Sequence, residues 1–389
     1  MIKKTTSQRF PAILIGGPPH AGKSVLAYSL REKLVEADFQ CYLLRAAPDG
    51  EGNWTHRSDP ELAQALRQGY KGVYTPTWIE YMRRDIAHRP LPFLVDVGGK
   101  PKSDQKEFFD QCTHAILLVK DTASEAEWQA LMDQYNVPVI AVLTSQPDGE
   151  SKLEATQPQI RGLITQLKWG QPATGPVFEA VLQRVKALFN YSDDDIVTMH
   201  QAEAPTDLVI VINKLYRRLN PHRSGQDWEP TDLPAVLDYL PQNLPLGLFG
   251  IGPIWLYVAV ACHIFPTRFY QFDARRSWVN PVSFVAGAAN VPLQIISQET
   301  SQYLYLKLDL LKDYLDYQSE MTIPLPSVPA NKGVILEGKG PAWLYTGLAL
   351  FYYQAPWVAV YQPQLNRAVV AFSTQTTGPY IVGNTITLT

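Results

Sequence analysis

The segment GPPHAGKS, Gly17 to Ser24, constrains this chain more than any other feature. It fits G-x-x-x-x-G-K-[ST] and lies between an apolar run, AILIGG (Ala12 to Gly17), and a helical pattern from Lys23 to Ala37. Strand, loop and helix in that order are the context a phosphate-cradling loop requires. Successive backbone N–H groups can then face the phosphates, helped by the helix N-terminus. On this reading Gly17 and Gly22 shape the loop, Lys23 reaches the β- and γ-phosphates, and Ser24 offers its hydroxyl to Mg²⁺. His20, inside the loop, meets a phosphate or a second substrate. The expected ligand is ATP with Mg²⁺.

The surrounding sequence supplies the sheet such a loop needs. CYLLRA, PFLVDVGG, AILLVKD and VPVIAVLTS are short aliphatic runs with helical stretches between several of them. That alternation predicts an α/β domain with a parallel sheet and helices on both faces. Asp96, in FLVDVGG, is the metal-organising acid to go with Ser24, and Gly98 or Gly99 can bring a backbone N–H to a γ-phosphate. Because Val97 follows Asp96, the strand lacks the Asp-Glu pair with which motor ATPases polarise water. The pattern looks more like P-loop kinases and small-molecule ligases. Arg83 and Arg84 are either a phosphate clamp or a solvated helix face. A helical pattern from Val177 to Phe189 closes this region before the acidic turn SDDD. The expected P-loop domain is residues 1–200.

Bulk properties limit the ligands. The 389 residues are 46% apolar, enough to fill the cores of two or three domains, and the formal net charge is -3. With an isoelectric point near 6.2 there is no global field for a nucleic-acid duplex. No duplex DNA partner is expected, and any nucleotide ligand should be small and pocket-held. Cys41, Cys112 and Cys262 are scattered without metal-ligand spacing, which fits a reducing cytoplasm. The N-terminal apolar run, Ala12 to Ile15, is too short for a signal peptide. Leu244 to Phe265 carries no Asp, Glu, Lys or Arg and is long enough to cross a bilayer. Pro245, Gly247, Gly250, Gly252 and Pro253 punctuate it, so a strand and turn feeding a helix is expected, and no membrane association.

Beyond residue 200 charges thin out and a repeat becomes visible. Gly250 to Tyr257 reads GIGPIWLY and Gly338 to Tyr345 reads GKGPAWLY; both fit G-x-G-P-x-W-L-Y. In each, an apolar strand precedes the motif, an apolar helix follows, and a proline-containing turn leads to another strand (RFYQFD; WVAVYQ). Two tandem units, 206–290 and 291–389, are expected to form an intramolecular pseudo-dimer. VPLQIISQ and YLYLKLD read as a hairpin, LLKDYLDY as a short helix, and RAVVAF and TITLT as closing strands, while DLVIVINKLYRRL is the candidate upstream partner of the first copy. Gly250, Gly252, Gly338 and Gly340 leave backbone amides open to an anion. Trp255 and Trp343 are either stacking faces for bases, worth ~1–3 kcal/mol each, or core residues at a tight corner.

Residues 291–389, and more weakly 235–280, resemble the cyclic oligoadenylate ring nucleases of type III CRISPR systems, a family some of whose members are fused to a P-loop ATPase-like domain. The resemblance implies a small dimerising α/β fold, phosphodiesterase cleavage of cyclic tetra-adenylate or a short RNA, use of Mn²⁺, and a homo-oligomer. The family places a His before the post-helix proline turn and an Asp and an Arg in a Y-D-P-R strand end. In the C-terminal copy these places read Gln354, Gln362 and Gln364, which implies binding without cutting. The first copy reads FDAR and keeps Asp273 and Arg275 as the catalytic pair. Its His place is Phe265, with His263 two residues earlier. Opening a ring phosphodiester through a 2′-hydroxyl needs a proton acceptor and positive charge beside the developing phosphorane. Two other readings stay open: a non-cleaving sensor of the messenger that regulates the P-loop domain or a partner, and a metabolite kinase.

Overall fold

Strands buried on both faces alternate with helices through the first part of the chain, and that pattern leaves a parallel sheet as the way to cover them. The computed structural model describes residues 10–47, 75–98, 103–223, 227–310 and 315–388. The chain divides into two compact units, Met1–Ile196 and Val197–Thr389.

In the first unit, β1 (Ala12–Gly16), β2 (Tyr42–Ala46), β3 (Phe93–Val97), β4 (His114–Val119), β5 (Val139–Gln146), β6 (Lys152–Ala155) and β7 (Ile160–Thr165) form one sheet. Their order is β2-β3-β1-β4-β5-β7-β6. Every pairing is parallel except that of β6 with β7. Each residue of β1 and β3 is buried. On one face Ile13, Ile15, Leu94 and Leu118 pack with Leu26 and Leu30 of the helix Lys23–Glu36 and with Val181 and Leu182 of the helix Pro176–Leu188. The opposite face meets Trp128 of the helix Thr122–Gln134, whose ring lies so close that a methyl on Gly16 would be 2.6 Å from it. Asp121 starts that helix by accepting the Ser124 N–H at 2.7 Å, the reciprocal cap expected of Asp before a helical run.

SDDD is not the turn that its polarity suggests. Asp193, Asp194 and Asp195 form the first turn of a helix, Asp193–Glu203, where negative charge complements the helix dipole. Ser192 Oγ accepts the Asp195 N–H at 3.0 Å. Farther along the same helix, within the second unit, His200 is buried among Phe249, Phe272 and Trp278, and its carbonyl accepts the Trp278 indole N–H at 2.9 Å.

The second unit carries the repeat as topology. β8 (Val209–Val211), β9 (Leu246–Phe249), β10 (Phe269–Asp273) and β11 (Ser277–Val279) pair in that spatial order, parallel, parallel, then antiparallel. β12 (Ser283–Ala286) pairs separately, in parallel, with β15 (Glu320–Ile323). The six-stranded sheet contains β13 (Leu293–Glu299), β14 (Tyr303–Leu310), β16 (Gly333–Gly338), β17 (Trp357–Gln362), β18 (Arg367–Ser373) and β19 (Thr385–Ile386). Within it β14, β16, β17 and β18 repeat the order and directions of the first sheet. The strand β8 is therefore the upstream partner that DLVIVINKLYRRL suggested. The hairpin of β13 and β14 also forms as expected.

LLKDYLDY does not form the expected helix in what is described of it. Leu310 ends β14, residues 311–314 lie outside the described residues, and Leu315 to Tyr317 have no regular structure. Strict alternation in YLYLKLDL favours the strand, putting Leu304, Leu306 and Leu308 into the core. The helices Ile254–Ile264 and Ala342–Phe351 are apolar almost all round because they are buried almost all round. They pack on each other, and one core joins both helices to both sheets. No described helix is long and apolar enough to cross a membrane.

Candidate functional site

Adjacent parallel strands bring the first site together. Ile15 of β1 pairs with Asp96 of β3, so the C-terminal ends of the two strands lie side by side. The chain leaves β1 toward β2 and leaves β3 toward β4, in opposite directions across the sheet, which opens a crevice at those ends. The loop Gly17–Gly22 and the start of the helix Lys23–Glu36 occupy it. Gly17 has φ 142°, and a Cβ there would be 2.0 Å from the Leu118 carbonyl oxygen; Gly22 has φ 84° and faces Leu167 at 2.6 Å. Only glycine fits either place. His20 is exposed, with φ 62°.

The polar side chains in the crevice form one connected set. Ser24 Oγ donates to Asp96 Oδ2 at 2.7 Å. Lys23 Nζ donates to the carbonyls of Gly17 at 2.9 Å and Pro18 at 2.8 Å. Burial pushes the Lys23 ammonium down to about 8, against the opposing pull of Asp96. Arg45, at the end of β2, brings Nη1 to 3.7 Å from Asp96 Oδ2. The sequence reading passed over Arg45; its one signal was a charge closing an otherwise aliphatic strand.

These residues fit a nucleoside triphosphate with Mg²⁺. The ion characteristically takes one or two protein oxygens and completes its shell with phosphate and water, and Ser24 and Asp96 provide such a pair. A cradle that only glycine can line lets phosphate approach the backbone. Gly98 ends the described part of FLVDVGG, and Gly99 lies outside it. Arg83 pairs with Asp110 at 2.9 Å on an exposed helix face, and Arg84 lies over the Tyr81 ring and 3.3 Å from Asp85. Arg83 thus pairs with the neighbouring helix Ser103–Gln111 and Arg84 within its own helix, in keeping with the plainer of their two readings.

The second candidate site is the repeated corner. Gly250 and Gly338 have φ 118° and 128°; Gly250 directly follows β9 and Gly338 ends β16. Seven residues on, the Tyr257 hydroxyl donates to the Gly250 carbonyl at 2.5 Å and the Tyr345 hydroxyl to the Gly338 carbonyl at 2.6 Å. The final Tyr of the motif thus latches its first Gly. Gly252 and Gly340 sit over Leu256 and Leu344, the first residue pair inside each helix that would crowd a Cβ. Trp255 and Trp343 correct the stacking expectation: each is 1% exposed, with Trp343 edge-on to Tyr317, so neither indole offers a face to a base. Their place in the first turn of an almost wholly buried helix decides this.

Asp273 and Arg275 close β10 beside the first corner. Asp273 Oδ1 accepts the backbone N–H groups of Arg275 at 2.8 Å and Arg276 at 3.1 Å, and the Arg275 Nε lies 3.9 Å away. Arg276 donates to Asp316 Oδ1 through Nε at 3.0 Å and Nη2 at 2.6 Å. Burial, with Asp273 nearby, raises the Tyr257 hydroxyl well above its ordinary value. His263 is not in this site. The helix Ile254–Ile264 runs antiparallel to β9 and β10, which puts its C-terminal end at the far end of the sheet, where His263 Nε2 is 3.3 Å from the Leu240 carbonyl. Phe265, in the family's His place, touches Tyr353 at 4.7 Å between ring centroids. In the C-terminal copy Gln354 is exposed, and the Gln362 amide donates to the Gln364 carbonyl oxygen.

Comparison with known proteins places one part of the chain. A 44-residue stretch is 43% identical to an uncharacterized protein of Aquifex aeolicus (strain VF5), covering 11% of this chain and 40% of that protein. Residues 308–387 match the CRISPR-associated protein family Cas_csx3. The matched range contains the second glycine corner, its buried helix and the strands β15 to β19. The C-terminal copy of the repeat is therefore similar to a CRISPR-associated family.

Proposed function

We propose that this protein joins two nucleotide-binding activities in a type III CRISPR response: ATP with Mg²⁺ at the P-loop, and cyclic tetra-adenylate at the paired glycine corners. The observation that carries the first is the hydrogen bond between Ser24 and Asp96 beside a glycine-only cradle. The likeness of residues 308–387 to Cas_csx3, together with the same strand order in both copies, supports the second. With the tryptophans in the core, the ring is held by the backbone at Gly250, Gly252, Gly338 and Gly340 and by the amides of half-buried Gln362 and exposed Gln364. Slow ring cleavage, assisted by Mn²⁺, rests on Arg275, with Asp273 holding the turn that positions it.

A sensor that binds the ring without cutting is the second reading. Two observations favour it: His263 lies at the opposite end of its sheet from Asp273, and Gln362 and Gln364 can neither titrate near neutral pH nor supply full charge. Incubation with labelled cyclic tetra-adenylate, with and without ATP and Mn²⁺, separates the two. The expected outcome is tight binding and slow cleavage, with Arg275→Ala about a hundredfold slower and Gln364→Ala altered mainly in affinity. Full cleavage by an Asp273→Ala, Arg275→Ala double variant refutes the assignment of the chemistry to the first copy. Tight binding without any cleavage by the unaltered protein establishes the sensor.

A further inference from the structure

A strand at the rim of a sheet carries a row of backbone N–H and C=O groups with no neighbouring strand, and folds blunt such rims by keeping them short, charged, bulged or covered. Most rims of this protein are short. β2, β6, β8, β11, β12, β15 and β19 run two to five residues each, and β6 adds Lys152, Glu154 and a break in register. Among the described strands β13 is different. It is the outermost strand of the six-stranded sheet, runs seven residues as LQIISQE, and pairs with β14 without a bulge. It contains no proline, glycine, lysine or arginine. Its one charge, Glu299 at the last position, is already matched by Lys332 at 2.7 Å. Leu293 and Ile295 pack on the core, while Gln294, Ile296 and Gln298 alternate with them on the other face and are exposed, Ile296 by 46%.

We propose that β13 is an interface strand, to which a second copy of this chain adds its own β13 antiparallel, so that the two six-stranded sheets join edge to edge. The inference rests on neither nucleotide site. What selects a second copy as the occupant is that this edge complements itself. A two-fold axis at Ile296 sets Ile296 against the partner's Ile296, Gln294 against the partner's Gln298, Ile295 against the partner's Ser297 and Leu293 against the partner's Glu299. No like charges meet. The two Glu299 carboxylates lie at opposite ends of the new ladder, each held by the lysine of its own chain. The exposed isoleucines cover one another, and the glutamine amides exchange hydrogen bonds, both being cross-strand pairs that stabilise sheets. Such a contact uses the same patch on both chains and closes, so the edge is consumed and no fibre can grow from it. The plain alternative, a solvated rim with no partner, predicts that changes at Ile296 leave the size of the particle untouched.

The test is sedimentation of the full-length protein, without nucleotide, across a wide range of concentration. The unaltered protein should pair reversibly. Ile296→Glu should weaken the pairing about tenfold or more, because two carboxylates then face each other across the axis. Within its own chain the introduced carboxylate lies opposite Lys307 of β14, so the sheet itself is not weakened. Ile296→Cys reads the register and carries the test if Ile296→Glu fails to fold. Under oxidised glutathione it should give disulfide-linked pairs, and faster than Ser297→Cys, whose counterpart in the partner lies two positions away along the ladder. The native cysteines are buried and do not compete. A monomer at every concentration overturns the proposal. Pairing that survives Ile296→Glu unchanged, or cross-linking no faster at position 296 than at 297, overturns it as well, because the copies then meet elsewhere or in another register.

Discussion

Lys23 is held by backbone carbonyls of its own loop, so its charge is buried yet has no dedicated anion bonded to it. Its proton is correspondingly loose, at about 8 against an ordinary 10.5. Phosphate oxygens restore that proton affinity, so binding of Mg²⁺ and ATP slightly above pH 8 should take up protons, and affinity should fall as pH rises through that region. Calorimetry in buffers of different ionisation enthalpy measures the uptake, which should vanish in Lys23→Met. The sign for stability is opposite. Between about 8 and 10.5 the unfolded chain holds this proton more tightly than the folded loop, so the group makes the empty unit more stable as pH rises across that window. The cysteines, by contrast, are ordinary core residues: burial raises the Cys41 and Cys112 thiols to about 12. The sequence showed only that they are scattered and without metal-ligand spacing.

At the scale of elements, the repeated motif is a device for turning a parallel strand into a buried helix. The first Gly takes a φ that other residues avoid, Pro opens the helix without an orphan N–H, Trp fills the core, and Tyr returns a hydroxyl to the Gly carbonyl. The two copies are not equally tight. A Cβ on Gly338 would sit 2.3 Å from the Leu308 carbonyl oxygen, while one on Gly250 meets Ile212 at 3.3 Å. Gly338→Ala should therefore cost about 3 kcal/mol or more, against about 1–2 kcal/mol for Gly250→Ala, as read by urea unfolding of the second unit. The repeat was visible in the sequence, but the fate of its tryptophans was not, because a stacking face and a core filler have the same composition and differ only in what covers them.

For the whole molecule, the division at Ile196 and Val197 separates the phosphate crevice from the paired corners. Hydrogen exchange read by mass spectrometry should respond accordingly. Mg²⁺ with ATP should slow exchange at Gly17–Ser24 and at the end of β3. Cyclic tetra-adenylate should slow it at Gly250–Pro253 and Gly338–Pro341. Protection at both glycine corners from one ligand is the expected result for a ring gripped by both copies. Protection at one corner alone counts against a shared ring. Slowed exchange inside the helices Ile254–Ile264 and Ala342–Phe351 is not expected to mark the site, since their residues already lie in the common core.

Local patterns determined much of this protein from sequence alone: the phosphate loop in its strand and helix, the parallel sheet behind it, the duplicated corner, and the break near residue 200. Each depends on residues adjacent in the chain, where spacing and propensity act directly. Tertiary structure alone decided what depends on register between distant strands. It set Arg45 beside Asp96 because β2 and β3 pair in phase, and it buried Trp255 and Trp343 because two apolar helices share one core. It drew the polar SDDD segment into a helix whose far end anchors on aromatic rings. His263 and Asp273 are ten residues apart in sequence and yet at opposite ends of a sheet, because a helix must run back along the strands before the next strand can begin.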